Sequence, residues 1–301
     1  MAVAKKQHRV IPKATLSNAR QLGLFGGSGK ERLMEANQRC VSVLSIAGSD
    51  SGGGAGIQAD LKSFMAMGVH GLTAIAALTA QNTRGVTSVW VPPCEFLTQQ
   101  IYCLLEDFDV RAIKIGMLAD AERIRSVDYA LRDFTRPVVL DPVMIASSGA
   151  SLLEDTAISH LQSRLVPRAT LLTPNLPEAE VLAGFRIDGR NDLMRAASVL
   201  LERGVQAVLM KGGHFDEGQE VVDRLFVDGV VHEFRHGRLS LSPHGTGCSL
   251  SSAIAAGLAK NLTLLDAVTE GIAFLHRALQ SAYRPGLGDL VVLNHAVAKH
   301  H

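Results

Sequence analysis

The sequence is poor in several things, and each shortage removes a reading. Four cysteines, at 40, 94, 103 and 248, make no C-x-x-C pair. They read as reduced thiols of a cytoplasmic protein, not as a disulfide framework. No apolar run approaches the ~18 residues that a membrane span needs. The N-terminus lacks the apolar central region of a secretory signal. Charge of one sign is also missing overall: the net is +1 over 301 residues, so the whole chain gives no signal for nucleic acid or an anionic membrane. There is no internal repeat, and no linker composition after residue 41. Residues 41–301 are therefore expected to form a single domain.

The charge that is present is uneven. Residues 1–40 hold eight Lys or Arg against two acids, an excess of +6 that leaves −5 for the remainder. This segment is expected to be a flexible basic extension, with an organelle transit peptide as the alternative. Within it, "QLGLFGGSGK" at 21–30 imitates a phosphate-binding P-loop, but the spacing fails. Leu24 stands where the first glycine belongs, and Glu31 follows Lys30 where Ser or Thr is needed.

From residue 41 onward, short apolar runs bounded by turn residues recur: "VSVLSIAG", "GLTAIAALTA", "AIKIGM", "PVVLDPV", "ATLLTPN" and "QAVLMKGG". Segments of helical period lie between them, near 55–67, 95–107, 120–134, 152–163, 177–184 and 190–203. Two further helices are expected at about 247–260 and 264–283. Strands apolar on both faces, alternating with helices, predict a mostly parallel sheet covered on each side. "RLFVDGVVHEFR" predicts a small hairpin on Asp228-Gly229.

Ligands of such sheets sit beyond the carboxyl ends of the strands, and the polar clusters fall there: Gly48 to Gly56, Gln81-Asn82, Asp141, Asn175 and Lys211. The turn "HGTGC" places Gly245, Thr246 and Gly247 ahead of a helix start, whose unpaired amides and dipole favour an anion. Cys248 falls in the first helical turn, where a thiol pKa is expected to be lowered. In "TPNLPEAE", Asn175 and Glu178 have the spacing of a capping box, and their oxygens also suit a Mg²⁺ ion that bridges phosphates. Asp141 ends a buried strand, and Lys211 ends another as a point charge for phosphate. Taken together, these groups suit phosphoryl transfer.

The blocks "IAGSDSGGGAGIQADLKSF", "TAQNTRGV", "KIGML", "VVLDPVM" with "SSGASLL", "LLTPNLPEAE", "VLMKGGH" and "HGTGCSLSSAIAA" occur in an order that resembles the hydroxymethylpyrimidine/phosphomethylpyrimidine kinases of the ribokinase-like superfamily. The resemblance covers about residues 41–295. It implies a three-layer α/β/α ribokinase-like fold with a mostly parallel central sheet. It also implies a cytoplasmic, commonly homodimeric enzyme of thiamine biosynthesis, dependent on ATP and Mg²⁺, with no nucleic-acid or membrane partner. The implied reaction phosphorylates 4-amino-5-hydroxymethyl-2-methylpyrimidine and then its monophosphate.

By motif, Cys248 occupies the catalytic-base position, where the wider superfamily carries Asp, with Gly245, Thr246, Gly247 and Lys211 around the transferred phosphate. Ala55 resembles the residue whose backbone meets the pyrimidine, and Gln81 the side chain that pairs with it. Asp50 is expected to face the substrate and Met117 to wall the pocket. Lys211, Thr246, Asn175 and Asp141 are implied at the nucleotide, and Asp141, Asn175 and Glu178 at the metal. The C-terminal "GLGDLVVLNH", 286–295, departs from the family's G-x-G-P-V-N-H.

Three other readings compete. Pyridoxal has a similar hydroxymethyl group, but "AQN" favours the aminopyrimidine. A non-catalytic pyrimidine-binding regulator would have no need of Lys211, Cys248, Asp141 and Glu178 together. A dinucleotide-binding turn is suggested by Gly54, Gly56 and Ala59, but the ribose-binding acid about 20 residues on is missing.

Overall fold

The computed structural model describes residues 40–144, 153–214, 218–239 and 243–297. The P-loop-like stretch, all of the basic segment except Cys40, and all of "SSGASLL" but Leu153 lie outside the described residues.

Among the described residues, nine strands make one sheet. They are β1 (Ser42–Ser49), β2 (His70–Asn82), β3 (Gly85–Trp90), β4 (Val110–Ile115), β5 (Val138–Leu140), β6 (Leu171–Leu172), β7 (Ala207–Met210), β8 (Glu220–Val227) and β9 (Val230–Gly237). The order across the sheet is β3-β2-β1-β4-β5-β6-β7-β8-β9. The strands from β2 through β7 in that order pair in parallel. Antiparallel strands close both edges.

The parallel strands read as continuous apolar runs because both faces are covered. Val43, Ala112, Val139 and Leu171 point into one core. Their neighbours Leu44, Ile113, Leu140 and Leu172 point into the other. The first core is covered by α1 (Gly56–Ala66), α7 (Thr246–Ala259) and α8 (Leu264–Gln280), through Phe64, Ile254 and Phe274. The second is covered by α2 (Cys94–Asp107), α3 (Ala121–Ala130), α4 (Asp155–His160), α5 (Leu176–Ala183) and α6 (Arg190–Glu202), through Leu97, Ile124, Ala157, Leu182 and Leu200. This is the expected three-layer α/β/α arrangement.

The hairpin on Asp228-Gly229 is present, with φ of 51° and 75° at the two turn residues, as a type I′ turn requires. A second hairpin was not anticipated. β3 pairs with β2 across Thr83-Arg84, a turn without an Asn-Gly or Asp-Gly signal. Its outer residues Val89 and Trp90 are exposed, so no buried face marks the strand in the sequence. The helix expected over 152–163 also differs. After α4 the chain widens into a π turn at Leu161–Leu165, then tightens into a 3-10 turn at Val166–Arg168 that contains Pro167.

β1 has β2 on one side and β4 on the other, so the strand order reverses there. A crevice at the carboxyl ends of strands at such a switch point is where α/β sheets bind ligands. Gly48 to Asp50 leave β1 at this end, and Gly116-Met117 leave β4. Met117 lies across Gly48, its Sδ 2.5 Å from where a Cβ would stand.

Candidate active site

The turn after β1 is built around Asp50, which is 4% exposed. Its carboxylate accepts from the amides of Gly52 at 2.8 Å, Gly54 at 2.9 Å and Ala55 at 2.8 Å. His244 Nε2 lies 3.2 Å from the same carboxylate. Burial alone would raise the Asp50 pKa. The bond from His244 and the amides of Ala55 and Gly52 outweigh it and hold the carboxyl below its ordinary value. Asp50 therefore organises the turn through the loop's own amides. The amide of Ala55, whose backbone is expected to meet the pyrimidine, is one of these donors.

Gln81 lies near the end of β2. Its backbone is tied to Ser51 in both directions, by Ser51 Oγ donating to the Gln81 carbonyl at 2.7 Å and the Gln81 amide donating to Ser51 Oγ at 2.8 Å. Its carboxamide touches His244 Nε2 at 3.0 Å and Thr79 Oγ1 at 3.2 Å. The first and second strands of the sheet thus deliver Asp50 and Gln81 to one imidazole.

That imidazole leads into the second turn. Gly245 caps α7 with φ of 82°, a conformation that favours glycine. A side chain there would also collide with the carbonyl of Gly54. The two glycine turns therefore touch, and only glycine allows the approach. Thr246 opens α7 and Cys248 sits in its first turn, as expected. The Gly56 amide, at the start of α1, faces the thiol and acts to lower its pKa. The sulfur thus lies between two helix starts.

Its acidity is a correction. Burial pushes the Cys248 thiol up to about 11, more than the nearby Lys114 ammonium pulls it down, and the carboxylates of Asp60 and Asp141 add to the rise. A helix start by itself would lower the value. That local rule leaves out the desolvation of a thiol that is only partly exposed and the two acids nearby.

On the far side of this turn stands Lys211, just past β7. Its Nζ is 3.1 Å from Asp141 Oδ1 and 3.6 Å from Glu178 Oε2. Burial would lower the lysine pKa, but Asp141 and Glu178 reverse the sign and keep it protonated. Glu178 is itself pushed up by burial against the pull of Lys211. A Cβ on Gly247 would lie 3.1 Å from Lys211 Nζ and 3.4 Å from Asp141 Oδ2. The bare glycine is what leaves the helix amides open beside this cation. Asn175 and Glu178 form the expected capping box of α5: the Glu178 amide donates to Asn175 Oδ1 at 2.9 Å, and the Asn175 amide to Glu178 Oε2 at 2.8 Å.

Beneath the thiol is a group that the sequence reading missed. Lys114 of β4 and Asp60 of α1 are both fully buried and paired at 2.9 and 3.0 Å. Ser45 and Ser252 donate to the same carboxylate at 2.6 and 2.8 Å. Burial works against the ammonium, but Asp60 overcomes it and raises the Lys114 pKa. The available signal was a lysine inside the apolar run "AIKI". The departing C-terminal stretch runs alongside the second turn. His244 donates its amide to the Val291 carbonyl at 2.8 Å, and His295 Nε2 meets Ser249 Oγ at 2.8 Å. Burial brings His295 down to about 4, so its ring is neutral.

The arrangement has two sides. A carboxamide backed by an imidazole can recognise a polar ring edge. A helix start flanked by a lysine and two carboxylates can hold phosphates. The thiol lies on the turn between them.

Comparison with known proteins places the chain in a family. The family described as phosphomethylpyrimidine kinase matches residues 50–292. The hydroxymethylpyrimidine/phosphomethylpyrimidine kinase of Rhizobium meliloti is 47% identical over 249 residues, covering 82% of this chain and 93% of the relative. The crystal structure of phosphomethylpyrimidine kinase from Clostridium difficile superposes with a TM-score of 0.71 at 40% identity, over 79% of this chain and 99% of that one. The ADP complex of Bacillus subtilis pyridoxal kinase gives a TM-score of 0.79 at 30% identity, over 85% and 97%. On a family match spanning residues 50–292 and on relatives this similar over four-fifths of its length, the chain belongs to the phosphomethylpyrimidine kinase family of ribokinase-like enzymes.

Proposed function

We infer that the chain transfers the terminal phosphate of ATP to the hydroxymethyl group of 4-amino-5-hydroxymethyl-2-methylpyrimidine, and then a second phosphate to that monophosphate, in thiamine biosynthesis. One observation carries the reading. Through His244 and Gly245, a ring-recognising cluster (Gln81, His244, Asp50) adjoins an anion turn (Gly245 to Cys248) that faces Lys211 and Asp141.

In this reading the pyrimidine edge pairs with the Gln81 carboxamide, Met117 and Ala55 line the ring, and Asp50 shapes the turn beneath it. The amides of Gly245, Thr246 and Gly247 receive the transferred phosphoryl group, and Lys211 neutralises its charge. Cys248 holds the attacking hydroxyl in line. Such positioning and charge neutralisation supply most of the catalysis in phosphoryl transfer.

Mg²⁺ is part of the proposal. Among the described residues no group of three or more His, Cys, Asp or Glu is arranged to hold a metal ion. Magnesium takes one or two carboxylates and completes its shell with substrate phosphates and water. Asp141 and Glu178 are the fitting pair, both nearly buried around Lys211. Asn175 Oδ1 has one lone pair committed to the α5 cap and offers only its second. The ion would offset the charge of the phosphates.

The same proposal takes residues 41–301 as one catalytic domain, residues 1–40 as an accessory extension, and the enzyme as a cytoplasmic homodimer. Four free thiols support the compartment. Pyridoxal phosphorylation is the second reading, favoured by the likeness to the Bacillus subtilis pyridoxal kinase. One assay tests both: purified protein and Mg-ATP with the free pyrimidine, its monophosphate and pyridoxal. Transfer to pyridoxal alone, or binding of the pyrimidines without transfer, would overturn the assignment.

A further inference from the structure

The hydrogen-bond arithmetic around Gln81 has one satisfactory solution. The two arms of its carboxamide lie 3.0 Å from His244 Nε2 and 3.2 Å from Thr79 Oγ1. Thr79 Oγ1 also lies 2.9 Å from the Ser49 carbonyl, and His244 Nε2 lies 3.2 Å from Asp50 Oδ2. The Ser49 carbonyl and the Asp50 carboxylate only accept. Thr79 must therefore give its one hydroxyl proton to Ser49, and His244 must carry a proton on Nε2 to meet Asp50.

Amide oxygen and nitrogen are told apart by the bonds they make. With the Gln81 nitrogen toward His244, two N–H groups would face each other and Thr79 would need a second proton. With the oxygen toward His244 and the nitrogen toward Thr79, every contact pairs a donor with an acceptor. His244 Nε2–H then serves Asp50 and the Gln81 oxygen together, and Thr79 Oγ1 accepts from the amide.

We propose that His244 is a specificity-determining positioning residue: anchored on Asp50, it locks the Gln81 carboxamide with its oxygen toward the imidazole, so that the outer edge of the amide has one fixed polarity. This rests on the reading of Gln81 as the ring-binding side chain. The outward edge then offers one oxygen lone pair beside one N–H. A 4-aminopyrimidine presents the complement, an exocyclic N–H beside an unprotonated ring nitrogen. The isosteric 4-oxo pyrimidine presents the reverse, a carbonyl beside a ring N–H. A freely rotating glutamine would serve either ring by turning over. A locked one disfavours the second, because a polar group left unpaired under the bound ring, where water is displaced, costs free energy. Asp50 enters only through the imidazole, and Thr79 closes the other arm.

The test measures kcat and KM for the aminopyrimidine alcohol and its 4-oxo analogue, with Mg-ATP, in the wild type, His244→Phe, His244→Gln and Gln81→Leu. The wild type should prefer the amino compound by about 10² or more in kcat/KM, short of the ~10⁴–10⁵ reached where a fully enclosed site hydrogen-bonds a group that the analogue lacks. His244→Phe should reduce that preference at least tenfold, mainly through the two pyrimidine KM values, with kcat and the KM for Mg-ATP moving less. His244→Gln, which restores an N–H at the same reach, should keep the preference within about threefold. The ring ¹⁵N spectrum should show His244 Nε2 protonated. An unchanged preference in a folded His244→Phe, or a His244→Gln that behaves like Phe, overturns the proposal. An unchanged aminopyrimidine KM in Gln81→Leu overturns the ring-binding reading beneath it.

Discussion

The thiol of Cys248 gives the sharpest test of how this site works. The perturbation is pH, raised from 7 to 9. With the thiol pushed up to about 11, roughly one molecule in 10⁴ carries the thiolate at pH 7. Reaching that form costs about 5.4 kcal/mol, at 1.36 kcal/mol per unit. A general base contributes typically ~10²–10⁴ in rate, or about 2.7–5.4 kcal/mol, so the thiolate route gains nothing at neutral pH. Phosphoryl transfer through a loose transition state has little need of early proton removal. The neutral thiol is therefore expected to orient the hydroxyl.

At saturating Mg-ATP and pyrimidine, kcat should change less than about threefold between pH 7 and 9. Cys248→Ser should stay within about tenfold of the wild type, because a hydroxyl keeps the same bond to the substrate. Cys248→Ala should lose about 10²-fold, the usual cost of a misplaced reacting group. A kcat that climbs about tenfold per pH unit, about 100-fold over the range, and that loses this slope in Cys248→Ser would refute the reasoning. The thiolate would then be the base after all.

Gln81→Ala should raise the pyrimidine KM at least tenfold and leave the KM for Mg-ATP near normal in steady-state kinetics. Lys211→Ala should lower kcat by about 10²–10³, the scale seen when one transition-state charge partner is removed, and it leaves Asp141 and Glu178 without the cation between them. Lys114→Met strips the buried Asp60 carboxylate of its counter-charge. Chemical denaturation should show a loss of about 3–5 kcal/mol, much of it regained in Lys114→Met combined with Asp60→Asn. A single variant as stable as the parent would mean that Asp60 is not held as a carboxylate.

Most of the scaffold was legible because its signals are local. "VSVLSIAG" and "QAVLMKGG" are apolar throughout, since helices cover both faces of their strands. The caps Asn175 and Glu178 are three residues apart. What escaped the sequence depends on distant partners. His244 lies 194 positions from Asp50 and 163 from Gln81, so nothing nearby marks it as the hub. Lys114 looks out of place until Asp60 arrives from α1. The acidity of Cys248 was misjudged for the same reason: the local rule for a helix start was outweighed by burial and by Asp60 and Asp141, which come from other parts of the chain. β3 escaped for the opposite cause. It faces solvent on its outer residues and leaves no apolar pattern to read.

The abutment of Gly54 on Gly245 has a mechanical consequence. Neither loop can shift without pushing the other, so an occupant that firms one wall also firms its neighbour. A pyrimidine seated against the first loop would pre-shape the nest for the nucleotide, and the nucleotide would return the favour. The two co-substrates should therefore bind with mutual synergy, even though they meet only at the atom being transferred.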